Sequence, residues 1–164
     1  MGYKKYLKES RQTEEAKKLK KQRLIKWRKE PVSKRVKHPT KPDRAKALGY
    51  KPVQGCFVVR HRIKRGGRQR EQFKAGRRSK HMRRKKVLDM NYQEVAERRV
   101  AQKYLNCEVL GSYQVLKDGQ NYWFEIILAD PQQEQVQSKQ TLKQSSSRKG
   151  KVFRGLTRAG KKSR

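Results

Sequence analysis

The chain has 164 residues, with 47 Lys or Arg against 14 Asp or Glu, for a formal net charge of +33. Leu, Ile, Val and Phe number 31 of the 164, at the edge of the range where so charged a chain fails to fold unaided. Self-repulsion on this scale argues against a conventional self-standing enzyme and calls for a polyanionic partner.

Residues 3–29 have helix-forming composition, but their apolar stripe breaks between Leu7 and Ala16. A helix polar on most faces needs an external partner, so 1–30 reads as a basic helical arm. Residues 31–52 carry Pro31, Pro39, Pro42 and Pro52. Each biases its predecessor away from helix, which predicts an extended segment and no domain of its own. In VQGCFVVRHRIK, the positions Val53, Phe57, Val59, His61 and Ile63 share one face of a predicted strand. Arg60, Arg62 and Lys64 share the other, so one side should pack and the other stay cationic. Residues 64–86 follow as a long basic loop.

Asn91-Tyr92-Gln93-Glu94 reads as a helix start, with Asn91 as N-cap and Glu94 at the capping-box position. Tyr92, Val95, Ala96, Val100 and Tyr104 continue at helical spacing to about Leu105. EVLGSYQVLK and NYWFEIILAD, joined at Asp118-Gly119, predict a β-hairpin, with Tyr122, Phe124, Ile126 and Leu128 on one face. Residues 132–150 read as a polar linker and 151–164 as a basic arm. The expected fold is α+β: a small antiparallel sheet of three to four strands at 53–131, covered by a helix and flanked by long basic arms.

Charge divides along the same lines. Residues 1–86 hold 33 basic and 6 acidic side chains, a net of +27; 87–142 hold 5 and 8, a net of −3; 143–164 hold 9 and none, a net of +9. A near-neutral unit therefore lies between two cationic flanks.

Nucleic acid is the polyanion this pattern fits best. No stretch approaches the roughly 20 apolar residues of a membrane span, and the N-terminus MGYKKYLKESRQ lacks a signal-peptide core. A cytoplasmic or nuclear protein with no membrane partner is expected. Cys56 and Cys107 stand 51 positions apart with no CxxC pairing, which suits two free thiols in a reducing compartment. His38, His61 and His81 lie in basic segments without carboxylate partners, and no phosphate-loop motif occurs. Neither catalysis, cofactor nor protein-bound metal is expected.

Candidate contact residues follow the cations. In the first flank they are Trp27, Lys34, Arg35, Lys37, Lys41 and Arg44. The strand and loop add Arg60, Arg62, Lys64, Arg65, Gly66, Gly67, Arg68 and Arg70, then Arg77, Arg78, Lys80, Arg83 and Arg84. The terminal arm adds Arg154, Arg158, Lys161, Lys162 and Arg164. Arg presents a planar fork to phosphates and base edges, and Gly lets backbone amides approach closely. Trp27 and Phe73, on no clear apolar face, are the better candidates for base stacking. A free RNA chaperone or an architectural nucleic-acid binder fits the same charge logic as an assembled ribonucleoprotein component.

The segment WRKEPVSKRVKHPTKPDRAKALGYKPVQGCFVVRHRIKRGGRQR at 27–70 resembles the large-subunit ribosomal protein family numbered fifteen in the eukaryotic scheme, particularly its archaeal members. The likeness continues with KAGRRSKHM at 74–82, with AERRVAQKYLNCEVLGSYQVLKDGQNYWFEIILADP at 96–131 and with RGLTRAGKKSR at 154–164. It implies a structural constituent of the large ribosomal subunit, without catalysis, on cytoplasmic ribosomes. The implied partners are large-subunit ribosomal RNA and neighbouring large-subunit proteins, with structural Mg2+ entering only through the RNA. Residues 132–151 depart from the usual family sequence, and members usually run on past the position of Arg164 with a further basic tail. Contacts made through those parts do not carry over.

Overall fold

The computed structural model describes residues 3–69, 75–76, 85–86 and 88–163. In chain order the elements are helices α1 (Tyr3–Ser10) and α2 (Glu14–Lys29), strand β1 (Ser33–Val36), helix α3 (Pro42–Ala47) and strand β2 (Cys56–Lys64). Two short strands follow, β3 (Arg68–Gln69) and β4 (Lys85–Lys86), then helix α4 (Tyr92–Lys103). Strands β5 (Glu108–Lys117) and β6 (Asn121–Ala129) precede three short helices, α5 (Glu134–Gln137), α6 (Gln140–Ser146) and α7 (Arg158–Lys161).

Four strands form one antiparallel sheet in the order β1-β2-β6-β5, and β3 pairs with β4 apart from it. The α+β class expected from the sequence is the class observed. β2 and β6 pair from Cys56↔Ala129 to Lys64↔Asn121, which keeps their β-branched residues in the sheet centre. At the hairpin turn the Asp118 carboxylate accepts the amides of Gln120 and Asn121, an Asx turn that replaces backbone pairing where the chain reverses.

One face is the predicted one. Val95, Ala96 and Val100 of α4 pack on Val59, Ile63, Phe124, Ile126 and Leu128. Asn91 caps α4 by accepting the Glu94 amide at 2.8 Å. The reciprocal half of the capping box is replaced: the Asn91 amide donates to Ser163 Oγ at 3.1 Å, and Glu94 takes Arg98 instead.

The other face departs from expectation. Val58, Tyr113, Val115, Trp123 and Ile127 are covered by Trp27 from α2, Ala45 from α3, Val136 from α5 and Leu142 from α6. The segment read as purely extended, 31–52, supplies edge strand β1 and, with Pro42 in the first turn, helix α3. The stretch read as a linker, 132–150, supplies α5 and α6, each with a buried side chain. A sheet with apolar residues on both faces must bury both, and polar segments carrying only one or two apolar anchors each complete the second layer.

Three carboxylates are buried inside this sandwich. Glu125 is fully buried and accepts Tyr113 Oη at 2.5 Å, the Thr40 amide at 3.0 Å and the Thr40 hydroxyl. Glu97 accepts the Ser112 hydroxyl and Thr157 Oγ1, the latter at 2.6 Å. Its place on α4 is therefore an anchor for the terminal segment, beyond the helix-dipole role that its position near the N-terminus suggests. Glu94 accepts Arg98 at 2.9 Å. Buried carboxylates persist only when hydrogen-bonded; Glu94 finds its partner one helical turn on, whereas Thr40 reaches Glu125 and Thr157 reaches Glu97 from segments far apart in the chain.

Candidate nucleic-acid interface

Trp27 and Arg60 lie inside the second layer. Trp27 is 5% exposed, its ring centroid 6.2 Å from that of Trp123. The Arg60 guanidinium lies 3.9 Å over the Trp27 ring and pairs with Glu30. The sequence suggested a stacking tryptophan and an open cationic strand face. Instead, α2 folds back over that face, and the arginine becomes a desolvated partner of an aromatic ring and a carboxylate. Burial raises the pKa of Glu30, but Lys34 and Arg60 more than offset it and hold the carboxyl below its usual range.

The end of the sheet is different. Arg62 is half-buried, while Lys64, Arg65, Gly66 and Gly67 are exposed. With Arg28, Gly119, Gln120 and Asn121, the first four line a cleft of about 650 Å³. Its side chains are held in place. Arg28 Nε donates to Asp118 Oδ2 at 2.9 Å, Arg62 Nη1 to the Arg28 carbonyl at 2.6 Å, and Arg65 Nη1 to the Asp118 carbonyl at 2.8 Å. The Arg65 guanidinium also lies 5.0 Å over the Tyr122 ring, which stacks with Tyr92 at 5.2 Å. Asp118 itself is 92% covered at its side chain. Burial raises its pKa, but the Asn121 amide, Arg28 and the Gln120 amide lower it further, and the carboxyl stays ionised below its usual range.

Along the sheet edge, Lys34, Arg35, Lys37 and His38 are exposed beside β1. Arg35 lies 4.3 Å over Phe57, and Lys34 reaches Glu30 at 2.9 Å. Lys41 is half-buried and donates to the Gln114 carbonyl at 2.9 Å; burial, then Arg11 and Arg44, lower its pKa. Arg44 is exposed one position after Asp43, which pairs with Arg11.

The terminal segment docks through its polar side and turns its cations outward. Asn91 Nδ2 donates to the Ala159 carbonyl at 2.7 Å and to Ser163 Oγ at 2.8 Å, beside the Thr157–Glu97 bond. Gly160 meets Gly155 so closely that a Cβ would stand 2.7 Å from the Gly155 Cα. Arg154, Arg158, Lys161 and Lys162 are exposed on the far side.

For Arg68 only the backbone is described, in β3. Arg70, Phe73, Arg77, Arg78, Lys80, His81, Arg83, Arg84 and Arg164 lie outside the described residues. Sequence reasoning missed Arg28 and the hairpin side of the cleft. Asp118 reads locally as a turn residue, and nothing local links it to an arginine ninety positions upstream.

Among the described residues, no group of three or more His, Cys, Asp or Glu is arranged to hold a metal ion. Within the same residues, no helix is long and apolar enough to cross a membrane. Cys56 and Cys107 are free and buried; burial, then Asp130, push the Cys107 thiol up to about 11.

The chain is similar to known proteins at the level of both family and individual sequence. A family profile described as Ribosomal L15 matches residues 2–164. The large ribosomal subunit protein eL15 of Methanocella arvoryzae (strain DSM 22066 / NBRC 105507 / MRE50) is 44% identical over 146 residues. That alignment spans 87% of this chain and 74% of the relative.

Proposed function

The chain belongs to the Ribosomal L15 family, and from that premise we propose that it is a structural constituent of the large ribosomal subunit, anchored to ribosomal RNA by its cationic surface. The observation that carries this reading is the opposite placement of the two charge signs. Glu30, Asp43, Glu94, Glu97, Asp118 and Glu125 are each covered and bonded within the fold. Lys34, Lys37, Arg44, Lys64, Arg65, Arg154, Arg158, Lys161 and Lys162 face outward. With many of its acids engaged internally, the fold presents a strongly positive surface to phosphate.

Binding of this kind works by counterion release. Each phosphate neutralised adds roughly 0.9 to the slope of log affinity against log salt on a duplex, so about ten contacts make retention steeply salt-dependent. Phosphate contacts set register, and the rigid sheet supplies the shape against which RNA helices fit. Neighbouring subunit proteins would meet the less charged surfaces, Mg2+ would enter only with the RNA, and the protein would reside on cytoplasmic ribosomes. We assign it no reaction of its own.

The test is sedimentation of the tagged full chain after gentle lysis, followed by salt washing of the large-subunit fraction. The reading expects co-sedimentation that survives moderate salt, because many phosphate contacts act together, and a steep release only at very high salt. Recovery mainly outside large-subunit fractions, or release at moderate salt as for a free chaperone, would overturn it.

A further inference from the structure

The cleft at the end of β2 has a feature that general basicity does not explain: a covered carboxylate, Asp118, bonded to the arginine and the turn that line it. The hairpin turn uses one Asp118 oxygen; the second oxygen, which takes Arg28, is not needed for the turn. As an isolated stabilising pair the bond is worth little, because Arg28 is 53% exposed at its side chain. What Asp118 does is geometric. Its Oδ1 takes the amides of Gln120 and Asn121, which shapes the hairpin turn, while its Oδ2 takes Arg28. Its carbonyl takes Arg65, and Arg62 donates in turn to the Arg28 carbonyl. The carboxylate thus holds Arg28 and the turn, while the backbone carbonyls of Asp118 and Arg28 hold Arg65 and Arg62 around it.

The charge count sets the ligand. Arg28, Arg62, Lys64 and Arg65 against Asp118 leave the cleft at +3, more than one backbone phosphate neutralises. The walls are open where backbone must approach closely. Gly66, at φ +103°, and Gly119 both line the cleft, and a Cβ at either would meet nothing within 4 Å. Gly66 is positioned from below, its amide donating to Tyr92 Oη at 3.1 Å. Pre-oriented guanidinium forks lose less entropy on binding than free ones.

We propose that this cleft is a preorganised clamp for two adjacent RNA backbone phosphates, with the Asp118 carboxylate as the positioning residue that holds Arg28 and the hairpin turn. The inference rests on the ribosomal-RNA reading above and deepens it. It also carries a sign that separates it from simple charge attraction: removing this acid weakens RNA binding. Asn at 118 keeps an oxygen for the turn amides but presents an NH2 to Arg28, so Asp118→Asn releases Arg28 while making the protein more positive.

Two measurements test it. In large subunits containing the wild-type chain, an arginine-specific dicarbonyl reagent with peptide mass spectrometry should find Arg28, Arg62 and Arg65 protected relative to the free protein. Ribonuclease digestion should restore their reactivity. Protection that survives digestion would mean a protein neighbour covers the cleft, and absence of protection in co-sedimenting particles would mean it is empty. Either result overturns the clamp while leaving the ribosomal reading standing; failure to co-sediment overturns that reading itself. Separately, filter binding of the full chain to deproteinised large-subunit RNA should be weakened roughly threefold to tenfold by Asp118→Asn and by Arg28→Gln. The double variant should bind no worse than Arg28→Gln alone. Equal or tighter binding by Asp118→Asn, with circular dichroism unchanged, refutes the proposal. Should Asp118→Asn misfold, undiminished binding by Arg28→Gln refutes it as well.

Discussion

Replacing Trp27 with Ala separates a structural role from a stacking role. Trp27 sits in α2 at 5% exposure, tilted against Trp123 at 6.2 Å, with the Arg60 guanidinium 3.9 Å above it. Truncation removes the anchor that holds α2 to the second face of the sheet and leaves Arg60 and Glu30 paired beside a void. Large-to-small replacement of a buried tryptophan costs about 3–5 kcal/mol, against a total stability of about 5–15 kcal/mol for a domain. For a chain of this length that corresponds to a fall in Tm of roughly 6–20 °C. The measurement is thermal and urea unfolding of the purified full chain without polyanions. A loss below about 1 kcal/mol, joined to a clear loss of RNA affinity, would refute the reasoning. That outcome would make Trp27 a base-stacking residue and leave α2 undocked in the free protein.

Three further outcomes follow from the buried polar contacts. His61 is 3% exposed, bonded through Nδ1 to Ser33 Oγ at 2.7 Å, and burial, then Arg99 and Lys103, push its pKa down to about 4. The unfolded chain binds the proton first, so stability falls as pH drops from about 6.5 toward 4, by about 3 kcal/mol at most. Urea midpoints across that range should be flatter in His61→Gln. Glu97 has the opposite sense: burial raises its pKa against Ser112 and Thr157, so the folded state holds its proton longer. Its contribution to stability declines as pH rises from about 4.5 through the raised value, and Glu97→Gln should remove that decline. Thr157→Val breaks the bond to Glu97 and should cost about 1–3 kcal/mol, while Gly160→Ala drives a Cβ into the Gly155 backbone. Both should speed limited proteolysis after Phe153 while the β2–β6 pairing keeps its amide-exchange protection.

Much of the first layer was legible. The alternation of Phe57, Val59, His61 and Ile63, the Asn91 cap and the Asp118-Gly119 turn are local signals, and each stands in the structure. The second layer was not. Val136 and Leu142 are single apolar residues among Gln, Ser and Lys, too few to show a period. Trp27 lies in a helix where ten of the sixteen residues are charged and Leu19 and Ile25 are exposed, so neither its burial nor that of Arg60 has a local mark. Of the cleft, Arg62, Lys64, Arg65 and Gly66 were readable as a basic strand end, but Arg28 and Asp118 were not.

By itself the sequence determined the fold class, the division of charge along the chain and the helix and hairpin of its near-neutral stretch. Those depend on composition and on residues at most a few positions apart. Only the tertiary structure decided which segments close the sheet and where the acids go. Thr40 meets Glu125 across 85 positions, Arg28 meets Asp118 across 90, and Thr157 meets Glu97 across 60. Each is a bond made because folding brings a buried or covered carboxylate beside a donor, and desolvation makes the pairing obligatory. The charge that the sequence divides only along the chain is thereby sorted in depth as well: Glu94, Glu97 and Glu125 go inside and most of the described cations stay at the surface, by the same packing that covers the sheet.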